Sequence, residues 1–322
     1  MDTEKLFILN EETSEISYTE LSENDLLSSK HYVEITRHLQ EIHQLFLITK
    51  YNISCLQGRY SLMNSGDVYC NRKAADSESD FIAINAHITS IISSGKTLAD
   101  SMECYIKTNS SIEKNSKDEY LNYCHYIYDS SFAYRFLIKL RDFSQHGHLP
   151  VSSERNNYYF DLKQIAEKPH FNHNQALSEQ MSQAIDEIMD VYKDTPTLCL
   201  TKTVAEFVAK LFTIYNKFWE CIESELTSSH LKFQSIIKTY PENIITDSSF
   251  LNGLFVYDVE NGMAQTVHTK DDPQKMFEKF KAEANAIYNE YRDEFEQLTQ
   301  NTLWIRCVDK ERIEIGVGTL SE

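Results

Sequence analysis

Arg141 and His146 are the two residues of this chain whose types and spacing could carry out chemistry. They open and close the run Arg141-Asp142-Phe143-Ser144-Gln145-His146, which is followed by Gly147-His148-Leu149-Pro150. A guanidinium keeps its positive charge at any physiological pH, and an imidazole gains and loses a proton near neutrality. Together they supply what metal-free cleavage of RNA needs. The imidazole moves the proton of a ribose 2′-hydroxyl, and the guanidinium holds the charge that builds on phosphorus. The same residues also fit a structural role. Lys139 and Arg141 in a last helical turn, then Gly147 and Pro150, form a helix-stop signal in which the cations answer the helix dipole. Both interpretations are open from the residues alone.

The run resembles the Arg-x4–6-His signature of HEPN domains, whose active members are ribonucleases, and a polar residue directly after the Arg, here Asp142, belongs to that pattern. The resemblance implies a helical bundle that dimerises so that two motifs share one cleft, with Arg141 and His146 of both chains facing one phosphate. It gives His146 the role of general base on the 2′-hydroxyl or acid on the leaving 5′-oxygen. Arg141 becomes the stabiliser of the transition state, and Asp142 the residue that orients either of them. His148 competes with His146, because the family spacing admits both; His146 is preferred because it precedes Gly147 and so stays closer to Arg141. By the same analogy the chain is a toxin or phage-defence effector, with RNA as substrate and an antitoxin or other protein as partner. No metal or other cofactor is implied.

A wider likeness surrounds the motif. The stretch Tyr126-Ile127-Tyr128-Asp129-Ser130-Ser131-Phe132-Ala133-Tyr134-Arg135-Phe136 runs into Lys139-Leu140-Arg141. It is similar to a group of uncharacterised bacterial proteins in which a Tyr-Asp…Tyr-Arg helix leads into Arg-x4-His-x2-Leu-Pro. The likeness spans residues 80–151 and carries no assigned activity.

The elements that must position these residues are mostly helices. Val33, Ile35, Leu39, Ile42, Leu45 and Phe46 recur at threes and fours and predict a helix from Ser29 to about Met63, broken by Ser65-Gly66-Asp67. Phe81, Ile84, Ile88, Ile91, Ile92, Leu98 and Met102 predict a second helix over 77–106. A third is expected to run without a break from Lys117 to Phe143, its face formed by Tyr128, Phe132, Phe136 and Leu140. Helices are also expected over 178–193, 204–238 and 273–299. Such helices are the core of a HEPN-type four-helix bundle, completed by the first helix and the one near 177–192.

Strands are expected at Leu6–Leu9 with Glu15–Tyr18, at Tyr158–Leu162, at Leu254–Val259 with Gln265–His268 around an Asn261-Gly262 turn, and at Leu303–Cys307 with Ile313–Val317. The fold class that follows is mainly α. It is a HEPN-like bundle with a small antiparallel sheet from the C-terminal part and the N-terminal hairpin. The expected organisation is a first domain over 1–195 and a second part over 196–322.

Composition narrows the partners. The chain has 322 residues with only 8 Gly and 5 Pro, and 41% hydrophobic against 25% charged content, the balance of a globular protein. Its net charge of −18 repels polyanions, which argues against DNA binding and an anionic membrane surface. Any RNA chemistry would need a local cationic cleft, for which Arg135, Lys139, Arg141 and Arg155 are the candidates. The 7 cysteines are scattered without a C-x-x-C pair, and the acidic start Met1-Asp2-Thr3-Glu4 is not a signal peptide; both point to the cytoplasm.

Competing chemistries lack motif support. His31, His38 and His43 are not spaced as metal ligands, and His170 with His173 has no Cys partner. Phosphate-loop, dinucleotide and nucleophile-elbow motifs are absent. Two non-enzymatic alternatives remain. One is a HEPN-like binding or sensor module without catalysis. The other is an interaction protein that offers the strand edge at Leu254–Val259.

Overall fold

Few glycines and prolines leave the helices long. In the computed structural model they are α1 (Glu23–Asn64), α2 (Asp76–Thr108), α3 (Lys114–Ser130), α4 (Phe132–Gln145), the short α5 (Leu162–Ala166) and α6 (Leu200–Thr239). The strands are β1 (Glu4–Asn10), β2 (Glu15–Thr19), β3 (Ser152–Glu154), β4 (Asn157–Asp161), β5 (Thr197–Cys199), β6 (Gly253–Asp258), β7 (Met263–His268), β8 (Leu303–Cys307) and β9 (Ile313–Val317). The structure describes residues 4–10, 15–19, 22–64, 76–154, 157–167, 197–239, 253–258, 263–268, 303–307 and 313–317, with single positions at 179, 182, 186, 279 and 282. The expected helices over 178–193 and 273–299, the Ser65-Gly66-Asp67 break, the Asn261-Gly262 turn, Arg155, His170 and His173 lie outside the described residues.

The chain is mainly α with small antiparallel sheets, as its composition predicts. It divides into two compact units, residues 1–43 with 219–282 and residues 44–218 with 283–322. In the first, the N-terminal hairpin joins the β6–β7 hairpin in the order β2-β1-β6-β7, with Phe7 opposite both Tyr18 and Phe255. The early part of α1 meets the late part of α6 through Tyr32. Its ring stacks on Phe233 at 4.4 Å, and its hydroxyl lies 3.0 Å from His230 Nδ1. His31 lies 3.6 Å from Glu225 in the same helix pair.

The second unit holds the bundle that carries the motif. Along α1, buried residues alternate at threes and fours (Phe46, Thr49, Ile53, Leu56), one stripe of a helix that packs lengthwise on another. The partner is the first half of α6, where Phe46 stacks on Tyr215 at 4.3 Å and meets Phe212 at 5.3 Å. α6 also meets α2. A Cβ on Gly95 would lie 2.9 Å from the Phe207 ring and 3.1 Å from Leu211, so only a glycine permits this close approach. Phe218 takes Tyr105 of α2 and Tyr120 of α3 edge-on. The start of α6 therefore lies at the centre of the bundle. A three-stranded antiparallel sheet, β3-β4-β5, belongs to this unit, with Phe160 against Phe136.

Two expectations are corrected. The predicted single helix over 117–143 is two helices. Ser131 sits between them with φ −112° and ψ 112°, ending α3 and capping α4 through a bond that its hydroxyl accepts from Tyr134 N. A helix break needs a residue content in extended backbone with a short hydroxyl to satisfy the next turn, and serine is both. The second correction concerns the C-terminal strands. β8 and β9 pair with each other and are not part of the β6–β7 sheet, so the strands form separate sheets rather than one.

Candidate functional site

α4 presents the motif, and it is an unusual helix to carry charge. Seven consecutive residues from Phe132 to Ile138 are buried, with Leu140 and Phe143 beyond them. Phe132, Phe136, Leu137 and Leu140 are at most 1% exposed, and each such side chain contributes on the order of 2 kcal/mol. The expected stripe is confirmed from Phe132 onward, with Phe132 and Phe136 stacked at 5.6 Å. A helix buried on nearly every side has little freedom to turn, so its last turn is a rigid mount.

The helix emerges at Arg141, which is half-buried. Contrary to the expected helix-stop signal, neither Lys139 nor Arg141 is in the last turn, because the helix runs on to Gln145. The Arg141 Nε is buried and has no hydrogen-bond acceptor among the described residues. Asp142 is exposed. The helix continues through Gln145 to a C-cap at His146 (φ −87°, ψ 16°), whose N–H donates to Asp142 O, and Gly147 follows with φ +85°. Gly147 N–H donates to Ser144 O at 3.2 Å, the left-handed stop that the sequence predicts at this glycine. The stop falls after His146, not between Arg141 and His146. Five residues on a continuous helix place the two side chains about 140° apart around the axis and about 7.5 Å apart along it. Helix geometry therefore separates Arg141 and the capping residue His146 around the axis of α4.

The two histidines are distinguished. His146 is exposed, whereas His148 is half-buried and its ring lies 4.8 Å from that of Phe143, tilted by 36°. The chain then runs through buried Pro150 to Val151, which is 2% exposed.

The cationic cleft expected from sequence is reduced. Arg135 is 1% exposed, its guanidinium 5.6 Å above the ring of Tyr128, so it belongs to the core. Lys139 and Arg141 remain half-buried at the surface.

Three polar residues that sequence reasoning missed hold α4 and its turn. Ser131 Oγ donates to Glu206 Oε1 of α6 at 2.5 Å while it caps α4. Burial pushes the Glu206 carboxyl up from the ordinary glutamate range, against the opposing pull of the Ser131 hydroxyl and the Lys210 charge. Asn85 of α2, 2% exposed, accepts from Val151 N at 3.0 Å and donates to Val151 O at 3.4 Å and Phe81 O at 3.1 Å. The available signal was that Asn85 and Glu206 each adjoin apolar helical faces, Ile84/Ile88/Ile91 and Val204/Phe207/Leu211, where a polar residue requires a partner.

Elsewhere the described histidines serve local contacts. His38 Nδ1 lies 2.9 Å from Glu34 O, and among the described residues no group of three His, Cys, Asp or Glu is placed to hold a metal ion. Cys55, Cys104 and Cys199 are free thiols. Among the described residues no helix is long and apolar enough to cross a membrane. In comparisons with known proteins, no family model, curated protein or solved structure matches the chain.

Proposed function

We propose that this protein is a metal-independent endoribonuclease of HEPN type, acting as a homodimer in which Arg141 and His146 of both copies converge on one phosphate. The observation that carries the reading is the Arg141 guanidinium. It is permanently charged, half-buried near the end of a helix packed on nearly every side, and its Nε has no acceptor among the described residues. A phosphate oxygen is an acceptor of the right charge and geometry. Exposed His146 caps the same helix, and the separation of the two residues around the helix axis is a reason for a second copy to complete the site.

In the reaction, one His146 takes the proton from the ribose 2′-hydroxyl, and the oxygen attacks the adjacent phosphorus. The bond to the 5′-oxygen breaks, and His146 of the second copy returns a proton to that oxygen. The products are a 2′,3′-cyclic phosphate and a 5′-hydroxyl. Arg141 holds the charge that gathers on the non-bridging oxygens, and Asp142 orients the pair. His148, its ring tilted against Phe143, is the less accessible histidine. A role as toxin or phage-defence effector in the cytoplasm, controlled by an antitoxin or another protein, belongs to the same proposal by family analogy.

A second reading, a binding or sensor module of the same fold without catalysis, is favoured by two observations. The net charge is −18, and Arg135 is withdrawn into the core. The experiment separates them. Arg141→Ala and His146→Ala are each expected to abolish RNA cleavage, and His148→Ala to cost less, while wild-type cleavage persists in EDTA. Folded, dimeric wild-type protein that cleaves no RNA selects the binding module. Cleavage that stops in EDTA and returns with Mg²⁺ rules out the mechanism.

A further inference from the structure

The turn that carries both histidines is short and anchored at its two ends. At one end are the helix-capping bonds of α4, from His146 N to Asp142 O and from Gly147 N to Ser144 O. At the other is Val151, whose N–H and C=O are both engaged by one side chain 66 residues earlier, Asn85. A carboxamide carries a donor and an acceptor side by side and can pair with a backbone N–H and C=O together, as another peptide would. Asparagine is otherwise a poor choice inside a helix, because its side chain competes for backbone bonds and buries polar atoms. Here it lies in the interior of α2, with Ile84 and Ile88 fully buried beside it.

Val151 is held three residues after His148. The His148 ring rests on Phe143, and His146 is exposed. We infer that Asn85 is a positioning residue. By gripping the backbone of Val151, it sets the path of the His146–Pro150 turn, parks His148 on Phe143 and presents His146. Its consequence for catalysis rests on the nuclease reading above; its effect on the turn does not.

The test uses Asn85→Leu, which keeps the branched shape and removes both bonds, and Asn85→Asp, which keeps only the acceptor toward Val151 N. The full chain is labelled at histidine. The His148 ring signals are assigned from the His146→Gln and His148→Gln spectra, and amide exchange at Val151 is followed in parallel. In the wild type, the Phe143 ring should displace the His148 ring protons upfield. In Asn85→Leu that displacement is expected to collapse, and Val151 exchange to accelerate at least about 10-fold, with circular dichroism unchanged. Asn85→Asp should fall between the two and covers the case in which Asn85→Leu does not fold. In RNA cleavage, kcat should drop by about 10–100-fold with little change in KM, because a misdirected histidine loses transition-state alignment rather than binding.

Folded variants that keep the His148 displacement and the Val151 protection would overturn the assignment. A lost displacement with unaltered kcat would overturn its catalytic part. If the wild type cleaves no RNA while Asn85→Leu still frees His148, the positioning role stands and the nuclease reading falls.

Discussion

A buried guanidinium nitrogen without an acceptor costs about 1–3 kcal/mol, so Arg141 burdens the fold that carries it. Sites that act on ligands commonly keep such a burden, and it disappears when the residue is replaced. Arg141→Met keeps the packing of the aliphatic stem and removes the orphaned Nε. It is expected to raise the urea midpoint, with an unchanged m-value, by a stability gain of about 1 kcal/mol. A loss of comparable size would make Arg141 part of the fold's own framework. At this scale the sequence was informative about which residues to watch. The Gly147 stop was legible, because a left-handed C-terminal cap has a residue signature. The fate of Arg135 was not legible. A cation one turn before Lys139 looks like part of a charged face, and only the packing of α4 reveals that it lies over Tyr128 in the core.

At the scale of elements, α4 is fixed by contacts at both ends, the Ser131–Glu206 bond at its start and the turn to Val151 at its finish. Glu206 predicts a pH dependence. Its carboxyl is raised chiefly by desolvation, with the Ser131 bond and the Lys210 charge opposing. Below the unfolded value of about 4.3 the group is protonated in both states and costs nothing. As pH rises from there through its raised folded value, the folded state holds the proton that the unfolded state has lost, and stability falls. Glu206→Gln can still accept from Ser131 and never ionises. Its stability advantage over the wild type is therefore expected to grow between about pH 4 and pH 8 in denaturant titrations. An advantage that stays constant across that range would mean that Glu206 ionises in the fold without penalty.

The break at Ser131 that places this bond was hidden in the sequence, because the apolar spacing Tyr128, Phe132, Phe136 continues across it as though the helix did. The Asn85 clamp was hidden for a different reason. Its partner is 66 residues away and is a backbone group, which leaves no trace in residue type. The long helices α1, α2 and α6 were legible from periodicity. The central place of early α6 was not, since periodicity shows which face is buried and not against what.

For the whole molecule, the proposed composite site would require two copies. Both copies carry a charge of −18, so association works against long-range repulsion that salt screens. Light scattering at micromolar concentration and physiological salt is expected to give a mass near twice 37.5 kDa, with dissociation favoured as salt is lowered. A monomer under those conditions would remove the shared cleft and leave Arg141 and His146 separated around the axis of a single helix.

On the proposed mechanism the chain cleaves RNA by moving the proton of a ribose 2′-hydroxyl. The most direct measurement uses a single-stranded RNA that the wild type cuts at a mapped site, alongside the same strand with one 2′-deoxy nucleotide on the 5′ side of that scissile phosphate. With EDTA present, mass spectrometry of the products should show a 2′,3′-cyclic phosphate and a 5′-hydroxyl from the all-ribose strand, and no cleavage at the substituted position. Cutting at the deoxy position, or ends bearing a 5′-phosphate and a 3′-hydroxyl, would contradict the account, because the attacking oxygen would then have come from water.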